Sequence, residues 1–330
     1  MAERVSIIVT VLNEGASLAR LLDSLAAQTR LPDEFVVVDG GSWDNTVDVL
    51  ESFTARAPFP VRVLVRAGAN ISQGRNLAIA EANGEIIAIT DAGVRLDPDW
   101  LEKLVAPYDS LPAPDVVSGF FVPEHRNLFE QVLGATTLPR LDEISEDSFY
   151  PSSRSVAVRR SAWEAVGGYP EWLDYCEDLL FDFALRDAGF RFKLAPQACV
   201  HFRPRATLRA FLKQYYRYAR GDGKADFWRY RHLLRYGTYL VALPLAAAAA
   251  AWHPVGWLAL LGVLMLLAWM PVRRLWPELS TMRPWQRPWA LIMAVGLRVA
   301  GDVAKMVGYP VGVVWRLRHG PRGSWPRRQW

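Results

Sequence analysis

The chain has 330 residues, 51% of them hydrophobic, and a formal net charge of only +4. That length accommodates one large domain with an appendage, or two domains. Its two cysteines, Cys176 and Cys199, make no metal-ligand or redox spacing, which excludes cysteine-based metal or redox chemistry and suits a reducing compartment.

The apolar residues are unevenly spread. Residues 1–230 carry ordinary charge, whereas beyond about Tyr236 long apolar stretches appear and acids almost vanish, so a boundary is expected near 205–235. Basic residues cluster beside those stretches: ten Lys/Arg in His201–Arg235, and five Arg with no acid in Arg316–Trp330. Nucleic acid is one partner for such patches, but their place flanking apolar spans fits anionic lipid headgroups better. The first residues run straight into a strand-like segment at Val5 rather than into a signal peptide, so the catalytic part is expected in the cytosol.

In chain order, four short Val/Ile-rich runs read as strands: Val5–Val11, Phe35–Val38, Val61–Val65 and Ile86–Ile89. Helical patterns lie between them, clearest in Leu18, Leu21, Leu22 and Leu25. Strands alternating with helices predict an α/β fold, a doubly wound, mostly parallel sheet with helices on both faces. Ligands of such sheets bind beyond the carboxyl ends of the strands. Those ends carry Asn13-Glu14, Asp39-Gly-Gly-Ser42 and Thr90-Asp91-Ala-Gly93. Each loop alone reads equally as turns and helix caps; together they converge on one edge as a ligand site. Neither a Walker loop nor a Gly-x-Gly-x-x-Gly fingerprint follows the first strand, which disfavours a P-loop ATPase and a dinucleotide-dependent dehydrogenase.

The ordered set of motifs resembles the family 2 glycosyltransferases of GT-A fold, over roughly residues 4–220. It comprises Ser6-Ile-Ile-Val-Thr-Val-Leu-Asn-Glu14, Asp39-Gly-Gly-Ser-Trp-Asp-Asn-Thr46, Gly74-Arg75-Asn76, Ala82-Asn-Gly84, the Asp91 strand, Ala165-Val-Gly-Gly-Tyr169 and Glu177-Asp178. The resemblance places Asn13, Glu14, Asp39, Ser42 and Asp44 around the donor's base and ribose, with Asp39 foremost; Asp44 reads equally as a helix cap. It makes Asp91 the first acid of an Asp-x-Asp metal motif whose second position is here Gly93. The charge on the leaving diphosphate then has two solutions. Either a divalent ion, Mg2+ or Mn2+, is expected to be held by Asp91 together with His201, or Arg75 or Arg154 is expected to supply part of the charge. Asp178 of the Glu177-Asp178 pair is implied as general base of an inverting transfer; acids in a first helical turn also suit the helix dipole.

Ala206–Arg220 reads as a basic amphipathic interfacial helix, within which Gln214, Arg217 and Tyr218 resemble the Gln-x-x-Arg-Trp acceptor motif with Tyr in place of Trp. Tyr236–Met270, broken at His253-Pro254, reads as a two-helix membrane hairpin. Arg231 and Arg235 precede it and Arg273 and Arg274 follow, so the positive-inside rule puts both ends in the cytosol. Pro288–Leu317 contains Arg298, Asp302 and Lys305 and reads as an interfacial or re-entrant helix. The expected layout is thus a catalytic domain over 1–205, an interfacial helix and linker over 206–235, a transmembrane hairpin over 236–271 and an interfacial or re-entrant helix with an Arg-rich tail over 272–330. The expected function is transfer of a sugar, from a UDP-sugar by preference, to a lipid or lipid-linked acceptor at the plasma membrane. Alternatives are a processive polysaccharide synthase, for which two spans are few to form a pore, and a non-catalytic scaffold.

Overall fold

The computed structural model describes residues 3–146 and 149–320, so the part of the Arg-rich tail beyond Gly320 lies outside the described residues. The elements run β1 (Val5–Val11), α1 (Gly15–Ala26), β2 (Glu34–Asp39), α2 (Thr46–Thr54), β3 (Val61–Val65), α3 (Ile71–Glu81), β4 (Ile86–Ile89), β5 (Val94–Leu96), α4 (Trp100–Val105), β6 (Val116–Pro123) and α5 (Leu128–Thr137). There follow β7 (Val156–Arg159), α6 (Arg160–Ala165), α7 (Glu177–Asp187), β8 (Phe192–Phe202), α8 (Leu208–Ala225), α9 (Arg229–Gly237), α10 (Leu243–Trp252), α11 (Gly256–Leu275) and α12 (Gln286–His319).

All four strands expected from the Val/Ile runs are present. They form one half of an eight-stranded sheet of order β3-β2-β1-β4-β7-β6-β8-β5. Pairing within that half is parallel, since α1, α2 and α3 supply the crossovers that parallel neighbours require. The pairs β4–β7, β6–β7 and β5–β8 are antiparallel, so the sheet is mixed and its parallel character belongs to β1–β4. Ile7, Ile8 and Val9 of β1 and Phe35, Val36 and Val37 of β2 are wholly buried, as continuous apolar strands covered on both faces must be. In the β1–β2 register Val11 stands opposite Asp39, which brings the loops after both strands to the same edge.

The chain divides into two compact units, Met1–Val122 with Leu141–Phe202, and Pro123–Arg140 with Arg203–Trp330. The excursion Pro123–Arg140, which sequence placed inside a 1–205 domain, belongs with the second unit. Its helix α5 packs Val132 and Leu133 into a core with Phe211, Leu275, Ala290, Ala294 and Leu297. Its boundaries were hidden because α5 carries an ordinary apolar pattern that suits either core.

In the second unit, α9 and α10 join through a π-helical turn at Thr238–Ala242 into one long helix. Arg229–Trp252 and Gly256–Thr281 are both long and apolar enough to cross a membrane. Their outer faces expose Leu245, Trp257, Leu258, Leu266 and Trp269. Helix α12 runs unbroken for 34 residues, with Pro310 inside it. It lies against α8 at very short range: a Cβ on Gly308 would stand 2.2 Å from the carbonyl oxygen of Tyr216, and one on Gly312 2.1 Å from that of Arg220. Small residues are what permit two helix backbones to approach this closely.

Candidate active site

Two loops at the carboxyl edge of the parallel strands, those after β1 and β2, build the first part of the site. Asp39 ends β2 fully buried, and its Oδ2 accepts from the backbone N–H groups of Gly41 at 2.9 Å and Ser42 at 2.8 Å, while Oδ1 accepts from the Ser42 hydroxyl. Ser42 Oγ in turn accepts from the N–H of Asn13 at 2.8 Å, and Asn13 Oδ1 accepts from the N–H of Trp43 at 3.0 Å. Asn13 holds a left-handed conformation at φ 56, which Asn tolerates better than most residues. The two loops are therefore one hydrogen-bonded cradle. Trp43 stands beside it with 84% of its surface exposed, an apolar face free to stack on a planar ligand.

Glu14 and Asp44 have quieter parts. The Glu14 N–H donates to Thr46 Oγ1 at 2.9 Å, and its carboxylate accepts from Ser17. Asp44 accepts from the Thr46 side chain and N–H and from the N–H of Gly15, and the Thr46 hydroxyl foremost holds its pKa below the ordinary range. Asp44 thus serves the start of α2 as a cap would, although Asn45 is the formal cap residue.

The second part centres on Arg75, which is 3% exposed on α3. Its Nη1 meets Glu177 Oε1 at 2.7 Å, its Nη2 meets Asp91 Oδ1 at 3.2 Å, and its guanidinium lies 5.3 Å from the centre of the Tyr169 ring. Residues 16 and 102 positions away are thereby tied to one cation. Burial by itself favours neutral arginine, but Glu177, Tyr169 and Asp91 reverse that and keep Arg75 charged. Burial also pushes the Glu177 carboxyl up to about 7, with Asp178 adding repulsion and Arg75 opposing.

Neighbouring motifs fix this arrangement. Asn76 Oδ1 accepts from the Tyr169 N–H at 2.7 Å and from Trp163 Nε1 at 3.2 Å, and Asn76 Nδ2 donates to the Tyr169 carbonyl at 2.9 Å. Gly168 has φ +77, and a Cβ there would sit 2.6 Å from Asn76 Oδ1, so only glycine lets the two segments meet. Cys176, at φ 65, turns the chain into α7 immediately before the acid pair. Asp178 Oδ1 accepts from the N–H of Leu179 at 2.8 Å, and no other hydrogen bond to its carboxylate occurs among the described residues. By contrast, Ala82-Asn83-Gly84 has a structural role. Asn83 bonds Glu34, and Gly84 N–H donates to Ser6 Oγ at 2.8 Å, at the start of β1 and so away from the carboxyl edge.

Asp91 is partly exposed. Besides Arg75 it faces Arg154, whose Nε lies 3.8 Å from Oδ2 and whose guanidinium stacks on Phe202 at 4.7 Å. Gly93 opens onto free space, since an added Cβ meets nothing within 4 Å. His201 is placed differently from the expectation of an Asp91–His201 metal pair. Its Nε2 bonds Asp97 Oδ1 at 2.8 Å, and alternation along β8 sets it on the face opposite Phe202. No Asp91–His201 contact occurs among the described residues. Asp97, Cys199 and His201 do bring ligand atoms within 4.8 Å of one another. Burial foremost raises the Cys199 thiol to about 11.

Two further residues of this cluster escaped sequence reasoning. Tyr169 was seen only as the end of a glycine motif, although its ring floors Arg75. Asp182 is 3% exposed, one helical turn after Asp178, and its Oδ2 has no hydrogen-bond partner among the described residues. Burial foremost, reinforced by Asp178, pushes its pKa up and favours the protonated form. The i, i+4 spacing of the two acids was the available signal.

The expected acceptor residues lie in the second unit on α8. Gln214 Nε2 donates to the Tyr218 hydroxyl at 2.6 Å, and Arg205 Nε donates to Gln214 Oε1 at 3.3 Å. Arg217 shares the helix and is half-buried.

Comparison with known proteins identifies the family. Family models described as glycosyl transferase family 2 and glycosyl transferase family group 2 match residues 6–162 and 86–297. The succinoglycan biosynthesis protein ExoA of Rhizobium meliloti is 28% identical over 81% of this chain and 80% of its own. The O-antigen chain rhamnosyltransferase RfbN of Salmonella typhimurium is 25% identical over 64% of this chain and 70% of its own. Among solved structures, the mannosyltransferase PcManGT of Pyrobaculum calidifontis in complex with GDP-Man and Mn2+ aligns with a TM-score of 0.56 at 21% identity, covering 93% of this chain and 88% of its own. S. aureus TarS residues 1–349 in complex with UDP-GlcNAc aligns at 0.51 and 18% identity, covering 96% and 92%. These two structural likenesses speak for the shared fold. With a family model spanning well over half the sequence, the chain belongs to glycosyl transferase family group 2 and is a glycosyltransferase.

Proposed function

We propose that the protein is an inverting glycosyltransferase that moves a sugar from a nucleotide-sugar, a UDP-sugar by preference, to a lipid or lipid-linked acceptor at the cytosolic face of the plasma membrane. The observation that carries this reading is the Arg75 bridge. It joins Asp91, at the end of the donor strand, to Glu177, beside Asp178, in one buried network. The Asp39–Ser42–Asn13 cradle takes the base and ribose through carboxylate, amide and hydroxyl groups. Asp178 accepts the acceptor hydroxyl's proton as that oxygen bonds to the anomeric carbon. The carbon–diphosphate bond breaks with its electron pair on the leaving nucleoside diphosphate, and attack from the opposite face inverts the configuration. Glu177, fixed by Arg75, positions Asp178. Arg154, whose side chain is 24% exposed, faces the diphosphate side at Asp91.

A divalent ion fits at Asp91. Mg2+ and Mn2+ use one or two carboxylates and complete their shells with water and substrate phosphate, and the open space at Gly93 leaves room for both. When bound, it would neutralise charge on the departing diphosphate. The complex of PcManGT with GDP-Man and Mn2+ and that of TarS with UDP-GlcNAc support a nucleotide-sugar donor. The two apolar helices support membrane anchoring, the Arg residues that flank them favour cytosolic ends, and Gln214, Arg217 and Tyr218 are proposed to face the acceptor.

The test is the anomeric configuration of the transferred sugar, followed by NMR with wild type and Asp178→Asn. Inverted product lost in the variant, with donor affinity retained, is expected. Retained configuration, or unchanged turnover in Asp178→Asn, would overturn the mechanism.

A further inference from the structure

Helix α12 leaves one long face uncovered within the second unit. Trp289, Ile292, Val299, Val303, Val307 and Val314 are between 36% and 64% exposed. They recur at steps of three, four or seven residues, which keeps them on a single stripe. Gly296 and Pro310 fill the intervening steps and are exposed too, so the stripe carries no charged side chain from Trp289 to Val314. The opposite face is covered by α8. A Cβ on Gly301 would meet the Tyr215 ring at 3.0 Å, and Gly308 and Gly312 face the Tyr216 and Arg220 carbonyls, about half a helical turn from the stripe.

The apolar hairpin springs from the middle of this helix. Arg235 Nε bonds Asp302 Oδ1 at 2.7 Å, and the Tyr236 hydroxyl donates to the Met306 carbonyl at 2.7 Å, near the start of the first apolar helix. Leu275, at the end of α11, packs with Ala294 and Leu297. Arg273 and Arg274 stand just before it, and flanking arginines of this kind mark the headgroup level. The stripe runs on both sides of that base, with Trp289 and Ile292 before it and Val307 and Val314 beyond. Among the described residues the two hairpin helices are long and apolar enough to cross a membrane, and α12 is not one of them.

Charge selects the partner. Residues 203–320 hold eighteen Lys and Arg against four acids. Three of those acids are taken up inside the unit: Asp222 by His232, Asp226 by Arg229 and Arg316, and Asp302 by Arg235 and Arg298. Two copies of so basic a unit repel one another, whereas anionic headgroups attract it.

We propose that α12 lies flat on the bilayer, its stripe sunk among the lipid chains along its whole length and α8 stacked on its far side. Of the interfacial and re-entrant readings of this segment, the first alone leaves the whole stripe at one depth. The assignment rests on the membrane placement proposed above and not on the transfer chemistry.

Nitroxide labels on the full chain in phosphatidylcholine–phosphatidylglycerol vesicles test it. They are attached singly at Trp289→Cys, Val303→Cys and Val314→Cys in a Cys176→Ser, Cys199→Ser background, and collisions with oxygen and with a nickel chelate read their depth. All three are expected at one depth, in the ~5–10 Å zone that an interfacial helix occupies. A crossing helix would separate Trp289 from Val314 by up to ~37 Å, and such a gradient would overturn the proposal. So would a Val303 label far deeper than the other two, as re-entry requires, or three labels open to water. Label–label broadening that unlabelled protein dilutes away would make the stripe a seam between copies and overturn it as well. A label at the exposed Leu258→Cys reads the hairpin separately. Lipid contact there with aqueous α12 labels sinks this inference alone, whereas an aqueous Leu258 label sinks the membrane placement beneath it. Should the serine background fail to fold, p-benzoylphenylalanine at the same three positions of the natural chain decides: lipid adducts at all three are expected, and protein adducts overturn the proposal.

Discussion

Replacing Arg75 by methionine removes the buried cation that bridges Glu177 and Asp91. Methionine keeps much of the volume, so the loss is chiefly electrostatic. Breaking a buried ion pair by deleting one partner costs about 3–5 kcal/mol, because the other charge is left uncompensated. Asp91, partly exposed, recovers hydration, whereas Glu177, 7% exposed, does not. Glu177 escapes by binding a proton, and this gives the prediction its pH signature. Its folded pKa already exceeds the unfolded value and is drawn down by Arg75; without Arg75 it rises further. A carboxyl with a raised folded pKa binds more protons folded than unfolded, so stability falls as pH rises between the two values. Wild-type Glu177 is largely ionised above about 7, beyond which its contribution levels off. The variant goes on losing stability by up to ~1.4 kcal/mol per pH unit. Thermal melts in detergent should therefore show Arg75→Met melting lower than wild type, with a gap that widens from pH 7 to 8.5. Adding Glu177→Gln to the variant should abolish the widening. A gap that is constant or shrinks with rising pH would refute the argument.

Three further outcomes follow from the geometry. Gly93→Asp meets no steric obstacle and restores the second acid of the metal motif. It should tighten Mn2+-dependent UDP binding by calorimetry about tenfold, with an unchanged melting temperature. Asp39→Ala should weaken UDP binding tenfold or more by calorimetry, because the Gly41, Ser42 and Asn13 contacts of the cradle lose their common anchor. Gly308→Val must push α12 from α8 and should lower the melting temperature of the second unit by several degrees, while UDP affinity stays at the wild-type value.

The meeting of the loops after β1 and β2 was legible because parallel strands announce themselves as short Val/Ile runs, and their carboxyl ends are fixed by topology. Asp39 and Asn13 could be placed together on those grounds alone. The Arg75 network was not legible, since its motifs were seen only as an ordered string and nothing local says that residues 75 and 177 meet. That His201 makes no contact with Asp91 among the described residues has a reason internal to β8. One residue of register decides the face, and sequence gave no way to see that His201 would turn toward Asp97 and Cys199. Asp182 was hidden because a lone acid on a helix ordinarily faces water, and only the packing of α7 buries it. The antiparallel half of the sheet and the transfer of Pro123–Arg140 to the second unit depend on contacts far apart in sequence, where periodicity carries no information.

The most direct test of the central claim is nucleotide release from a panel of UDP- and GDP-sugars by the full chain in lipid nanodiscs containing membrane lipid extract, with and without Mn2+. The account predicts lipid-stimulated release from one donor, a UDP-sugar, lost in Asp178→Asn and reduced when metal is removed. Release from no donor, together with no detectable binding of UDP or GDP, would contradict it.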